Sequence, residues 1–119
     1  MPLFRRVHAG EARIVVSVVT EAELLVRPLR NGDTAAVEKI EDLLSEDGFE
    51  VVAVDRAIAR RGAALRSHNR IALADAIIIA TALETGCEAI VGNDGEWRQR
   101  LPDLPFLLLE NVVSRQAKA

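Results

Sequence analysis

A chain of 119 residues has room for one compact domain and too little for two, and its 50% hydrophobic and 28% charged residues have the balance of a globular protein. Aromatic residues make up 3%, so the core has to be built from Val, Leu, Ile and Ala. The net charge of −3 argues against a general electrostatic nucleic-acid binder, which would be basic, but leaves open an enzyme that meets nucleic acid through bound cations. The single Cys87 cannot form an intrachain disulfide, fits a reducing compartment, and reads as a small buried hydrophobe. The longest apolar stretch, residues 71–83, contains Asp75 and falls short of a membrane-spanning helix. The start, Met1-Pro2-Leu3-Phe4-Arg5-Arg6, has no apolar region after its basic residues, as a signal peptide would. One domain over residues 1–119 and a cytoplasmic location are therefore expected.

In chain order, residues 12–17 are short, β-branched and preceded by Gly10, and predict a buried strand. Residues 20–29 have a helical pattern. Residues 34–45 carry Val37, Ile40 and Leu44 at helical spacing, with Asp33 as the cap. Residues 49–54 form a plausible second strand. Residues 55–66 predict an amphipathic, Arg-rich helix, and residues 75–85 one that is apolar nearly all round, with Gly86 placed as a C-terminal cap. Residues 88–92 follow Gly86 and end at the turn signal Asn93-Asp94-Gly95, so they predict a buried strand; residues 106–109, after Pro105, predict a last one. Strands alternating with helices mean an α/β domain with a mostly parallel sheet. The series Arg56, Arg60, Arg61, Arg66, Arg70 is read as a solvated helix face ahead of a phosphate-binding one.

In open parallel sheets, sites form beyond the carboxyl ends of the strands. Three acids fall at such places. The strand at 12–17 runs into Thr20-Glu21-Ala22-Glu23, the strand at 88–92 runs into Asn93-Asp94, and Asp75 sits at the start of the most apolar helix, where an acid is costly without a partner. Converging carboxylates repel unless a cation or proton lies among them. A hard divalent cation such as Mg²⁺ takes carboxylate oxygens, and its bound water can attack a phosphodiester. Each acid also has a plain structural explanation: Thr20 and Glu23 match a helix capping box, Asp75 suits an N-cap, and Asp94 suits a turn. Joint placement tips the balance toward a metal-dependent phosphodiester hydrolase.

Three segments carry a family resemblance. Ser17-Val18-Val19-Thr20-Glu21-Ala22-Glu23-Leu24 is similar to S-x-x-T-x-x-E-L, Leu73-Ala74-Asp75-Ala76-Ile77-Ile78-Ile79-Ala80-Thr81-Ala82 to L-x-x-D-A-x-I-A-A-x-A, and Val91-Gly92-Asn93-Asp94-Gly95-Glu96-Trp97 to V-T-N-D-x-x-F. In order and spacing the set resembles the PIN-domain ribonucleases of the VapC toxin type. The resemblance implies a three-layer α/β/α fold with a mostly parallel sheet. It makes Glu23, Asp75 and Asp94 the catalytic and metal-binding carboxylates for Mg²⁺ or Mn²⁺, with RNA as substrate. It further implies a homodimer and a cognate VapB-type antitoxin.

The family opens with a central strand that ends in an Asp. Here Leu3-Phe4-Arg5-Arg6-Val7-His8-Ala9-Gly10 matches only the tail of the helix that follows that strand. The resemblance therefore implies a domain lacking its first, central strand and one acid of the site, with Glu96 the nearest substitute. Gly92 stands where the family has a hydroxyl, and Trp97 where it has Phe. Neither His8 nor His68 is spaced as a metal ligand. A second hypothesis is a catalytically inactive remnant that keeps the fold and its dimer or antitoxin surface. A third, a phosphoryl-receiver domain, wants a Lys at a late strand end; Lys39 lies in a predicted helix and Lys118 in the tail.

Overall fold

The computed structural model describes residues 9–10, 12–87, 90–92, 100–101, 103 and 106–108. The chain alternates strands and helices: β1 (Ile14–Ser17), α1 (Val18–Arg30), α2 (Thr34–Leu44), β2 (Phe49–Val52), α3 (Arg56–His68), α4 (Leu73–Glu84), β3 (Ile90–Gly92) and β4 (Phe106–Leu108). This is the expected α/β fold with parallel strands, and every described element falls where the sequence pattern puts one.

Local chemistry sets the boundaries. Ser17 is both the last residue of β1 and the N-cap of α1; its Oγ accepts from the Val19 N–H at 3.1 Å. The strand therefore turns into the helix with no loop between them. Asp33 caps α2 by accepting from the Ala36 N–H at 3.1 Å, and Asp55 caps α3 by accepting from the Ile58 N–H at 2.8 Å. At the end of α4, Gly86 has φ +72°. The Cys87 N–H donates to the Ala82 carbonyl at 3.0 Å and the Gly86 N–H to that of Leu83 at 3.3 Å, a Schellman closure. Cys87, expected as a buried hydrophobe, is half-buried because it lies past the helix end, beyond that closure, with its Sγ 3.3 Å from Thr85 Oγ1.

β1 and β2 pair in parallel from Ile14↔Phe49 to Ser17↔Val52, and β3 and β4 from Ile90↔Phe106 to Gly92↔Leu108. Among the described residues these are two separate two-stranded sheets. α4 packs on β1 and α1, and also carries the core that reaches β3. Its Ala76 and Ile79 join Ile71, Ile90 and Leu101, and Ala76, Ile79 and Ala80 are wholly removed from solvent. The apolar character of α4 all round its circumference follows from this position, with α3 on one side and strands on another. Buried Thr81 keeps its hydroxyl satisfied by donating to the Ile77 carbonyl at 2.8 Å.

Candidate functional site

The two chemically distinct residues of α4 are its charged ones. Its sequence, LADAIIIATALE, contains only Asp75 and Glu84 among ionisable residues. Glu84 is answered by Arg61 of α3 at 2.9 Å. Asp75 has no hydrogen-bond or ion-pair partner among the described residues, although it is half-buried. The helix begins two residues before it, at Leu73, with Ala72 as the N-cap and no side-chain capping bond. Asp75 is therefore not the cap that its place near the helix start suggests. What remains on the structural side is a favourable interaction with the positive end of the helix, about 0.3–1 kcal/mol for an acid in the first turn.

Glu23 sits in the second turn of α1 and is exposed. The capping-box explanation does not hold for it: the cap is Ser17, three residues upstream of Thr20, and Glu23 makes no bond back to the Thr20 N–H. Glu21, two residues earlier, is less exposed and shares the inward side of α1 with Leu25 and Pro28. α1 and α4 pack against each other, so the helices bearing Glu23 and Asp75 are direct neighbours. Asp94, the third acid, lies outside the described residues, as do the turn Asn93-Asp94-Gly95, Glu96, Trp97, His8 and the helix tail expected before residue 9. Among the described residues, no three His, Cys, Asp or Glu side chains stand together as a metal-binding group. His68 is exposed, as expected of a surface residue.

Asp75 stands on a closely packed helix pair. α3 and α4 form an antiparallel hairpin joined by residues 69–72, and the two helices touch at Gly62. A Cβ built on Gly62 would lie 3.0 Å from Ile77 Cγ1, 3.3 Å from its Cα and 3.4 Å from its N. A methyl here would be tighter than ordinary van der Waals contact, so Ile77 would have to give by a few tenths of an ångström. Asn69 Nδ2 donates to the Leu65 carbonyl at 2.9 Å and ties down the connection.

The arginines of α3 lie on a solvated face, as the sequence pattern suggests, and Arg61 among them is paired with Glu84. α3 has four arginines and no acid within its span. Arg56, Arg60 and Arg66 are exposed, as is Arg70 in the connection to α4, and none has a partner among the described residues.

A family model described as PIN domain matches residues 3–100. Among curated proteins, none matches the chain in sequence. Several solved structures share the fold, two of them as follows. One is VapBC2 from Rickettsia felis bound to a DNA fragment from their promoter, with a TM-score of 0.72 and 18% identity, over 88% of this chain and 83% of that one. The other is a toxin–antitoxin complex from Klebsiella pneumoniae, with a TM-score of 0.67 and 23% identity, over 87% of this chain and 80% of that one.

Proposed function

The chain belongs to the PIN domain family, and on that footing we propose that it is an Mg²⁺- or Mn²⁺-dependent ribonuclease, the toxin of a toxin–antitoxin pair, with Glu23, Asp75 and Asp94 as its metal-binding carboxylates. The observation that carries this reading is Asp75: a half-buried carboxylate on a closely packed, largely apolar helix, which neither caps the helix nor meets a partner among the described residues. A carboxylate in that state suits a hard divalent cation, whose preferred ligands are oxygens.

A bound Mg²⁺ supplies an activated water and shields the charge that builds on the phosphate. The chain's part is to hold the donors. The burial of Ala76 and Ile79 next to Asp75 fixes the helix turn from which it projects. Glu23 comes from the neighbouring helix, and Asp94 follows the end of β3 by two residues. Glu23 and Asp75 thus come from two neighbouring helices, and Asp94 follows a strand in sequence, as in a site at the carboxyl ends of parallel strands.

The partner in this reading is a cognate VapB-type antitoxin, alongside a second copy of the chain in a homodimer. Leu24, Val26 and Leu29 of α1 and Leu43 of α2 are all about half exposed or more, and apolar side chains in that state suit a protein interface. No helix among the described residues is long and apolar enough to cross a membrane.

One observation favours a second reading, a non-catalytic relative that keeps the fold and the partner surface. Glu23 is exposed, and among the described residues no three His, Cys, Asp or Glu side chains stand together, whereas the exposed Leu24, Val26, Leu29 and Leu43 need no metal site to meet a partner. RNA cleavage decides between the readings. A ribonuclease cuts single-stranded RNA with Mg²⁺ or Mn²⁺, is silenced by EDTA, and loses activity in Asp94→Asn. Cleavage that survives EDTA and Asp94→Asn, or no cleavage by a chain that still binds Mn²⁺, removes the first reading.

A further inference from the structure

We infer that the outer face of α3 is a phosphate-binding track that lays single-stranded RNA against the candidate site, an inference that rests on the ribonuclease reading above. At 100° per residue, Arg66, Ala59, Ala63, Arg56, Ser67 and Arg60 fall in that order within an arc of about 120°. All six are exposed. Ile58, Gly62 and Leu65 lie on the other side of the helix and face the protein interior. Arg61 also points away from the arc and is taken by Glu84. The arc therefore carries three arginines separated by small side chains, with no carboxylate to neutralise them.

The direction of the track follows from the hairpin. α3 and α4 run antiparallel, with Gly62 opposite Ile77. Arg66 thus lies toward the end of the hairpin where α4 begins, the end that holds Asp75, and Arg70 extends the charge into the connection there. Arg56 and Arg60 lie farther back, with rises along the axis of about 6 Å from Arg56 to Arg60 and 9 Å from Arg60 to Arg66.

The overall charge of −3 does not oppose this. Residues 34–50, spanning α2 and the start of β2, hold Glu38, Glu41, Asp42, Glu46, Asp47 and Glu50 against the single Lys39. The net charge is the sum of an acidic stretch and a basic one in different parts of the fold, and a polyanion responds to the local field. The guanidinium fork matches carboxylate and phosphate oxygens alike, so one feature favours RNA over an acidic protein: the face lacks the aromatic or large apolar anchors at the centre of protein interfaces, having only Ala59, Ala63 and Ser67 between its arginines.

The test is fluorescence anisotropy with a labelled twelve-nucleotide single-stranded RNA in EDTA, across a range of NaCl concentrations. Binding should weaken linearly in log–log form, each phosphate contact on a single strand adding about 0.7 to the slope. The triple variant Arg56→Gln, Arg60→Gln, Arg66→Gln changes only exposed positions to a good helix former. It should lose about 2 from the slope and bind at least about tenfold more weakly at low salt. Arg27→Gln with Arg30→Gln, at the far end of α1, should leave both quantities near wild type. An unchanged slope in the triple variant overturns the inference, as does an equal loss in the α1 control. So does a polyglutamate peptide of equal charge that competes as well as RNA, which would make the face a site for an acidic protein. Cleavage is scored separately. RNA held by these arginines but never cut would sink the ribonuclease reading and leave the track standing. RNA cut normally by a triple variant with wild-type binding would do the reverse.

Discussion

Replacing Gly62 by Ala should destabilise the protein, although the same change in an ordinary helix stabilises it. An interior helical glycine costs about 0.8–1 kcal/mol relative to Ala, so relief of that penalty favours the variant. Against it stands the contact with α4. The new methyl would sit 3.0 Å from Ile77 Cγ1, 3.3 Å from Ile77 Cα and 3.4 Å from Ile77 N. Carbon atoms prefer separations of about 3.5–4.0 Å, so the side chain has to give by roughly half an ångström and the backbone by a few tenths. Cα and N cannot rotate away, and the far side of α4 is closed by the Ala76–Ile79 core. The helices must therefore separate, and overpacking of this kind costs about 1–3 kcal/mol. The net expectation is a loss of about 1 kcal/mol, read as a lower urea midpoint at unchanged m-value and a melting temperature lower by roughly 3–6 °C for a domain of this size. Ile77→Ala removes Cγ1 and supplies the control. In that background Gly62→Ala should cost at least about 0.5 kcal/mol less than in the wild type, the coupling expected of residues in contact. A gain of about 1 kcal/mol from Gly62→Ala in the wild-type background would show slack between α3 and α4, and would refute the close packing of the helix pair that bears Asp75.

Three further expectations concern stability. Asp55→Ala removes the cap of α3 and should cost about 1 kcal/mol in urea unfolding, whereas Asp55→Asn should cost little. Ile79→Ala opens a cavity at a position with no solvent exposure and should cost about 2–5 kcal/mol; a loss under about 1 kcal/mol would mean that α4 is not the core element described. Arg13→Gln should change stability by less than about 1 kcal/mol, since its 3.2 Å pair with Glu50 is largely exposed on both sides, and the effect should fade in high salt.

Most of the fold is legible in the sequence because its signals are local. Asp33 and Asp55 announce their helices by capping chemistry, and Gly86 marks the end of α4 as a residue that reaches positive φ. Two helix starts fall earlier than the pattern suggests, for separate reasons. Val18 and Val19 are β-branched and continue the look of β1, yet Ser17 has already capped α1. Ala72 is a residue type that rarely caps, so α4 begins two residues ahead of the first polar signal, Asp75. The division of the strands into two pairs depends on long-range neighbours that no local pattern records. The same holds for Gly62, which reads in sequence only as a weak spot in a helix until Ile77 is seen against it. For the candidate acids, the structure removes the capping explanations for Glu23 and Asp75. The unopposed arginines of α3 were visible as a series, but which of them are partnered is decided by α4.

Isothermal titration of Mn²⁺ into the wild-type chain and into Glu23→Gln, Asp75→Asn and Asp94→Asn, with apo stability followed in parallel, tests the shared metal site most directly. Each carboxylate lost from the ion is worth on the order of 1–4 kcal/mol in a solvated site, which is roughly a ten- to thousandfold loss of affinity. One ion per chain, bound more weakly by all three variants while Asp75→Asn leaves the metal-free protein as stable as before or more so, is the predicted result. Equal Mn²⁺ affinity in the wild type and Asp75→Asn, with the variant destabilised by the 0.3–1 kcal/mol of a lost first-turn charge, would contradict it and leave Asp75 as an acid that serves its helix alone.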